Sequence, residues 1–537
     1  MPQLRPNTPP PPDYYRNNLL RVVEFVAHTY ADLLNPRELL YLHSVTQVSR
    51  DAQRLLARLI SRKGPRIRED RLNYTEVGCL QTQLQQLEQQ GLIDRNPAAP
   101  ADRLLMLCTK DELVAWFPGF ARSSKAVLLG DIVTRYSDVQ LHTRLSACLN
   151  WVSIRQAGML DLLRLLYFGD SYRDLSAFVL EDLGLVRYEP YVIDRSNRQF
   201  DHRDDLDRYL TLRSARDLSH RLADFPQLAA EVTTQLLHQP CETRIEQRTR
   251  DRALNRLGHW HERLGELDSA LACYAGSNTH PARERSVRIL KKTGQVQRSE
   301  CLQQQLIEAP RCAEEEDFAQ RFGKRGGGVK PPITSVRLDC ATPERIEDHA
   351  AQLLTANGGV ALHLENNLPL SLTALAYWPV IFAEVPGAFT NPFQSAPVDL
   401  FWPDFARTRA TLIAEQDRIL ADPLGFRREL TSTWQAKSDT ANALMSWRAM
   451  SAEVLHTILH CIPHTILFSL VGHVIRNLPM ARTGFPDLTV LYGPGQYEFV
   501  EVKGPTDQLQ PAQRIWFKHL TRLGANGRVL KFQAQAR

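Results

Sequence analysis

The chain has 537 residues, with 65 Lys and Arg against 60 Asp and Glu and a net charge of +5. That length exceeds what one core holds and implies roughly three or four domains, while the small positive excess permits a polyanionic partner without requiring one. No run of about eighteen apolar residues occurs, so no transmembrane helix is indicated, and nine cysteines without a CxxC pair read as reduced thiols of a cytosolic protein, not a thiolate metal site.

Residues 1–14 are proline-rich, lack the apolar core of a secretory signal and read as a disordered tail. Residues 15–140 read as a basic DNA-binding region. Arg54, Arg58 and Arg62 recur every four residues and share one helix face, opposite Leu55, Leu56, Leu59 and Ile60. Lys63, Arg66, Arg68 and Arg71 follow around Gly64-Pro65, which ends that helix. Leu80, Leu84 and Leu87 predict a second helix closed by Gly91, and Leu104 to Cys108 predicts a short strand. This order resembles a winged-helix unit presenting basic residues to DNA, a pattern that protein-binding modules share. Arg54, Arg58, Arg62, Lys63, Arg66 and Arg68 are the candidate DNA contacts, against the plain reading of a solvated charged face. Thr109-Lys110-Asp111-Glu112 predicts a capped helix, and another starts near Ser123-Ser124-Lys125. The two resemble a SAP-like hairpin or a helical linker.

From Leu141 to Ala309 the pattern is helical throughout. Leu254, Leu257, Gly258, Gly265, Ala270 and Tyr274 stand at the spacing of a tetratricopeptide helix pair, with Pro281 near its closing position. The small residues Gly258 and Ala270 let antiparallel helices approach closely. Such a region is scaffold or a docking surface for a protein partner, and the Arg-rich stretch Arg244 to Arg256 is a solvated face or a nucleic-acid contact. Residues 310–335, acidic at Glu314 to Asp317 and then Gly- and Pro-rich, have linker composition.

Within 336–537, Arg345 to Ala356 predicts a helix and Val360 to Leu364 a strand or helix turn leading to Glu365. Apolar helices follow through Leu370 to Phe382 and Ala441 to Val474. The period then changes to two: Asp487 to Leu491 and Glu498 to Lys503 predict strands joined by Tyr492-Gly493-Pro494-Gly495-Gln496. Pro511 to Leu523 predicts a helix and Arg528 to Phe532 a last strand.

On a strand Glu501 and Lys503 point one way while Val500 and Val502 point into the core. A hairpin folded at Gly493-Pro494-Gly495 brings Asp487 beside Glu501. Two adjacent carboxylates repel unless a cation lies between them. Hard oxygen ligands suit Mg²⁺ or Mn²⁺, which can acidify a bound water and neutralise charge on a phosphate, with Lys503 placed to orient that water. This is equipment for phosphodiester hydrolysis.

Pro486-Asp487 followed by Glu501-Val502-Lys503 matches the PD-(D/E)XK nuclease motif. The longer string from Phe485 through Gly504-Pro505-Thr506-Asp507-Gln508-Leu509 to Gln513-Arg514-Ile515-Trp516 resembles the VRR-NUC branch and, more closely, the Fanconi-associated nuclease family, in a bacterial form. The resemblance also covers domain order. It implies a multidomain, mainly α protein: a winged-helix and SAP-like unit, a tetratricopeptide-like middle, and a C-terminal α/β nuclease core. It further implies an acidic ligand from an upstream helix, a position that Glu365 fills, although His363, Leu364 and Asn366 stand where the family more often has small residues. The plain alternative is a polar residue at a helix start. Metal ligands are then Glu365, Asp487, Glu501 and Val502, and the catalytic set is Asp487, Glu501, Lys503 and Gln513. Asp507 and His519 read as loop and surface residues.

The resemblance implies a structure-specific nuclease with 5′-flap endonuclease and 5′–3′ exonuclease activity in repair of interstrand crosslinks. It acts on branched DNA, in the cytoplasm and at the nucleoid of a bacterium, with no membrane. Shape, not base sequence, is expected to choose the cut. A Holliday-junction resolvase and a non-catalytic helical-repeat scaffold are the rival readings.

Overall fold

The computed structural model describes residues 13–62, 64, 66–120, 124–169, 186–323, 331–337 and 345–533. Most of the expected tail, Lys63 and the linker glycines 326–328 lie outside them. The chain divides into two units: Met1–Arg187 with Tyr191–Gln199 and Phe389–Phe393, and Tyr188–Pro190 with Phe200–Ala388 and Gln394–Arg537.

In the first unit, α1 (Tyr14–Thr29), α2 (Pro36–Gln47) and α3 (Arg50–Ile60) pack together. The Ser49 hydroxyl accepts from the Ala52 N–H and starts α3, which buries Leu55, Leu56 and Leu59 completely. After β1 (Arg66–Arg68), α4 (Leu80–Gln89) ends before Gly91, whose φ of +67° only glycine adopts freely, and β2 (Ile93–Arg95) follows. The strand expected at Leu104–Cys108 is instead α5 (Ala101–Leu105). Ala101, Leu104, Leu105 and Cys108 fall on one buried helical face, so the apolar run fits a helix period as well as a strand. α6 (Lys110–Trp116) carries the Thr109–Glu112 capping box, and α7 (Lys125–Arg135) starts at Ser124. Beyond α8 (Asp138–Cys148), β3 (Trp151–Ile154) interrupts the stretch read as helical throughout. It is the central strand, antiparallel to both β1 and β2. α9 (Ala157–Phe168) closes the unit against α1.

The second unit begins with α10 (Arg203–His220), α11 (Ala229–His238), α12 (Arg244–Leu264), α13 (Leu267–Ala275), α14 (Ala282–Lys292) and α15 (Val296–Glu308), each packed on its neighbour. The expected close approach is present: a Cβ on Gly258 would stand 2.7 Å from the Tyr274 ring. The acidic stretch read as linker forms α16 (Ala313–Arg321), and β4 (Ile333–Arg337) follows.

The rest is an α/β layer. α17 (Ile346–Thr355) leads to β5 (Val360–His363). A long helical insertion follows: α18 (Asn367–Ala376), α19 (Trp378–Ile381), α20 (Phe405–Thr408), α21 (Ala410–Leu420), α22 (Pro423–Lys437), α23 (Ala452–Cys461), α24 (His464–Arg476) and α25 (Leu478–Ala481). The sheet resumes with β6 (Leu488–Gly493) and β7 (Gln496–Lys503), then α26 (Pro511–Arg522) and β8 (Gly527–Gln533). Strand order is β4-β8-β7-β6-β5, antiparallel from β5 to β7 and parallel from β7 to β4. Ala350 of α17 packs with Leu488, Val490, Val500 and Val502 on one face. Phe499 on the other face packs with Trp516 of α26 and the insertion helices. Among the described residues no single helix is long and apolar enough to cross a membrane.

Candidate active site

The register that pairs Leu488 with Val500 sets Asp487, just before β6, opposite Glu501 on β7. Strand alternation leaves Val500 and Val502 under α17 and turns Glu501 toward the face that α26 covers. Gly484 permits this closeness: its φ is +90°, and a Cβ there would lie 2.6 Å from the Ala512 carbonyl carbon at the start of α26.

Three groups converge on Glu501, which is 1% exposed. Lys503 Nζ lies 2.8 Å from its Oε1. Gln513 Nε2 donates to the same oxygen, while Gln513 Oε1 accepts the Gln510 N–H at 2.8 Å in a capping box. Asp487 Oδ2 accepts the Val502 N–H at 2.8 Å. Glu501 Oε2 is buried without a hydrogen-bond partner.

Burial, then the Asp487 charge beside it, push the Glu501 carboxyl up to about 7, although Lys503 pulls the other way. Burial also raises Asp487, with the Val502 N–H and Lys503 opposing and the charges of Glu365 and Glu347 adding to it. Glu365 is therefore within electrostatic reach of Asp487. It is exposed and sits between β5 and α18 with a left-handed φ of +46°, not on a helix as the resemblance implied. Among the described residues no three His, Cys, Asp or Glu side chains stand close enough together to hold a metal ion, so Glu365 does not complete a three-carboxylate cage as it stands. The residues do fit a hard divalent cation in one respect. A buried carboxylate oxygen without a partner, next to a second carboxylate, is a costly arrangement that a cation would satisfy.

Glu347 was missed by sequence reasoning. It lies in the first turn of α17 on the face of Ala350, Ala351 and Leu354, so an acidic residue one turn ahead of an apolar stripe was the available signal. Asp507 closes the loop after β7 by accepting the Gly504 N–H at 3.0 Å. His519 is not a surface residue: it is half-buried, stacked on His473 at 3.6 Å, and burial beside His473 and Arg522 pushes its pKa down to about 3.

The basic face of α3 is largely spoken for. Arg54 reaches Asp13 and Asp51, each at 2.8 Å, Arg58 reaches Glu76 at 2.7 Å, and Arg68 is buried between Asp70 and Glu112. Arg62 is exposed, bonded to the Tyr74 hydroxyl and the Arg71 carbonyl, and forms no ion pair among the described residues. Arg66 is half-buried on β1, and Lys63 lies outside the described residues. In the second unit Arg244 pairs with Asp404 and Asp399. Arg248 stacks over Trp402, and burial and the Arg252 charge push it down to about 10. Burial and the Arg216 charge lower Arg252. Among the described residues neither Arg248, which is half-buried, nor Arg252, which is exposed, forms an ion pair.

Two family descriptions match: FAN1, HTH domain, over residues 13–94, and VRR-NUC domain, over residues 424–533. The chain is 30% identical to the Fanconi-associated nuclease 1 homolog of Pseudomonas aeruginosa, across 95% of this chain and 94% of that protein. It is 23% identical to Fanconi-associated nuclease 1 of Homo sapiens, across 96% of this chain and 62% of that protein. The crystal structure of paFAN1 bound to 2nt 5′flap DNA with gap superposes with a TM-score of 0.88 at 28% identity, covering 99% of this chain and 100% of that one.

Proposed function

The chain belongs to the Fanconi-associated nuclease family and is a divalent-metal-dependent nuclease; from that premise we propose that it cuts branched DNA near 5′ flaps, with Mg²⁺ or Mn²⁺ at Asp487 and Glu501. The observation that carries this is the placement of Asp487, just before β6, beside Glu501 on β7, with Glu501 Oε2 buried and unpartnered and Lys503 Nζ 2.8 Å from the other oxygen. Solved relatives bound to 5′-flap DNA support the substrate.

Asp487 and Glu501 would hold the cation, beside the Val502 main chain and within the electrostatic reach of Glu365, and the cation would supply charge neutralisation at the phosphate and lower the pKa of a water. Lys503 orients that water by hydrogen bonding and stabilises negative charge as it attacks phosphorus. The water oxygen forms the new P–O bond and gives up a proton to solvent, the P–O bond opposite it breaks, and the departing oxygen takes a proton from solvent. Gln513 holds the Glu501 carboxylate through Oε1, which leaves Oε2 available to a cation. Arg62 and Arg66 in one unit, and Arg248 and Arg252 in the other, are suited to phosphate contacts because they form no ion pair among the described residues. Phosphate contacts carry no base information, so shape selects the substrate. The family resemblance extends this to 5′–3′ exonuclease action in crosslink repair at the bacterial nucleoid.

Wild type and Asp487→Ala, incubated with labelled 5′-flap, 3′-flap, four-way and duplex DNA in Mn²⁺, Mg²⁺ or EDTA, test the proposal. Metal-dependent cutting near the 5′-flap junction, lost in the variant, is expected. Cutting of the four-way junction alone would replace it with the resolvase reading, and binding without cutting would leave a scaffold.

A further inference from the structure

The acidic run Glu314 to Asp317 does not float in a linker: α16 lies along the helix that carries Gln513. On α26, Arg514, Lys518 and Arg522 are four residues apart and form one basic stripe. Glu316 takes Lys518 Nζ and lies 3.5 Å from Arg522 Nη2. Gln320 Oε1 accepts from Lys518 at 3.0 Å, and Asp317 lies 3.9 Å from Arg514.

These polar contacts are what join the two helices, because their apolar faces go elsewhere. Phe318 and Ala319 of α16 cluster with Val287 and Leu306 of the helix pairs before it. Trp516 and Leu520 of α26 belong to the nuclease core. A cavity of about 460 Å³ borders the seam, walled by Phe318 and Arg321 on one side and by Pro511 and Arg514 on the other. Close packing therefore does not fix the helices against each other; charge does. Glu316 and Lys518 are partly buried, which makes their contact worth more than a fully exposed pair.

From this we infer that Glu316 and Asp317 are positioning residues for the nuclease reaction. Trp516 and Leu520 anchor α26 from the core side, and by holding its outer stripe Glu316 and Asp317 steady the reach of Gln513 to Glu501. A displacement of about 1 Å at a reacting group can cost about a hundredfold in rate, so a clamp one helix away has leverage on turnover. The inference rests on the role assigned to Gln513 above.

The test is steady-state cleavage of 5′-flap DNA in Mn²⁺ by the full chain carrying Glu316→Lys, the exchanged pair Glu316→Lys with Lys518→Glu, Gln513→Ala, and Glu316→Lys in the Gln513→Ala background. Glu316→Lys is expected to lower kcat by about tenfold or more, with KM and DNA affinity unchanged, and the exchanged pair to recover most of the loss. In the Gln513→Ala background the reversal should have almost no further effect, since the clamp acts through that side chain. Unchanged kcat, a loss confined to KM, or full additivity with Gln513→Ala would overturn the inference. Should the reversed charge prevent folding, Glu316→Gln gives the same reading with a smaller change. Wild-type turnover in Gln513→Ala would instead remove the assignment of Gln513, a result distinct from failure of the clamp.

Discussion

Replacing Glu501 by glutamine keeps its shape and its acceptor oxygen for Lys503 and Gln513 while removing a charge buried at 1% exposure. The folded carboxyl titrates at about 7 against 4.5 for the ordinary group. At roughly 1.4 kcal/mol per tenfold, holding Glu501 ionised above pH 7 costs the metal-free protein about 3 kcal/mol. The sign follows from the raised value: below about pH 4.5 the group is protonated in both folded and unfolded chains and costs nothing, and the penalty grows as pH rises through 7. Glu501→Gln should therefore unfold several degrees higher than wild type at pH 8 in EDTA, and the difference should vanish at pH 4.5. Saturating Mn²⁺ should erase the gap at pH 8, because the cation binds the folded wild type. Thermal unfolding at the two pH values, with and without Mn²⁺, reads all of this. Equal melting at pH 8 in EDTA would refute the reasoning, as it would mean that Lys503 fully compensates the buried charge.

Lys503→Ala should lower kcat by about 10²- to 10⁴-fold with flap-DNA affinity unchanged, measured by single-turnover cleavage beside equilibrium binding. Glu365→Ala and Glu347→Ala should each raise the Mn²⁺ concentration for half-maximal cutting, the first more than the second, following the order of their influence on Asp487; a metal titration of the rate checks this. Arg248→Ala with Arg252→Ala should reduce the slope of log Kd against log salt by about 2, at about 0.9 per phosphate contact. Arg54→Ala, whose guanidinium already pairs with Asp13 and Asp51, should leave that slope alone. Gly258→Ala forces a Cβ to 2.7 Å from the Tyr274 ring and should destabilise the second unit by about 1–3 kcal/mol without altering kcat below its melting range.

The hairpin from Asp487 to Lys503 was legible in the sequence because everything that makes it is local. Two strands of period two, a glycine turn and alternation suffice to put both carboxylates on one side. Gln513 came from the family resemblance, and its place three residues before the buried Trp516 agrees with a position on the packed side of α26. Glu365 and β3 were harder because their partners are remote. β3 pairs with strands that precede it by more than fifty residues, and nothing in Trp151–Ile154 distinguishes a central strand from a short apolar helical turn. Glu365 is parted from Asp487 by the whole helical insertion, so its approach depends on how that insertion packs, which no periodicity records.

Charge was the least legible property, and the structure shows why. Arginines counted along α3 make a basic face, but Asp13 and Glu76 return to that face from other elements and consume most of it, as Glu112 consumes Arg68 on β1. The acidic residues Glu316 and Asp317 counted as linker are consumed in turn by the stripe on α26. An ion pair formed inside the fold removes both partners from the surface available to DNA, so the useful quantity is the charge left after internal pairing. By that measure Arg54, Arg58 and Arg68 are the weaker candidates for phosphate contacts and Arg62, Arg248 and Arg252, which form no ion pair among the described residues, the stronger ones. Net charge alone, at +5, could not have distinguished these distributions.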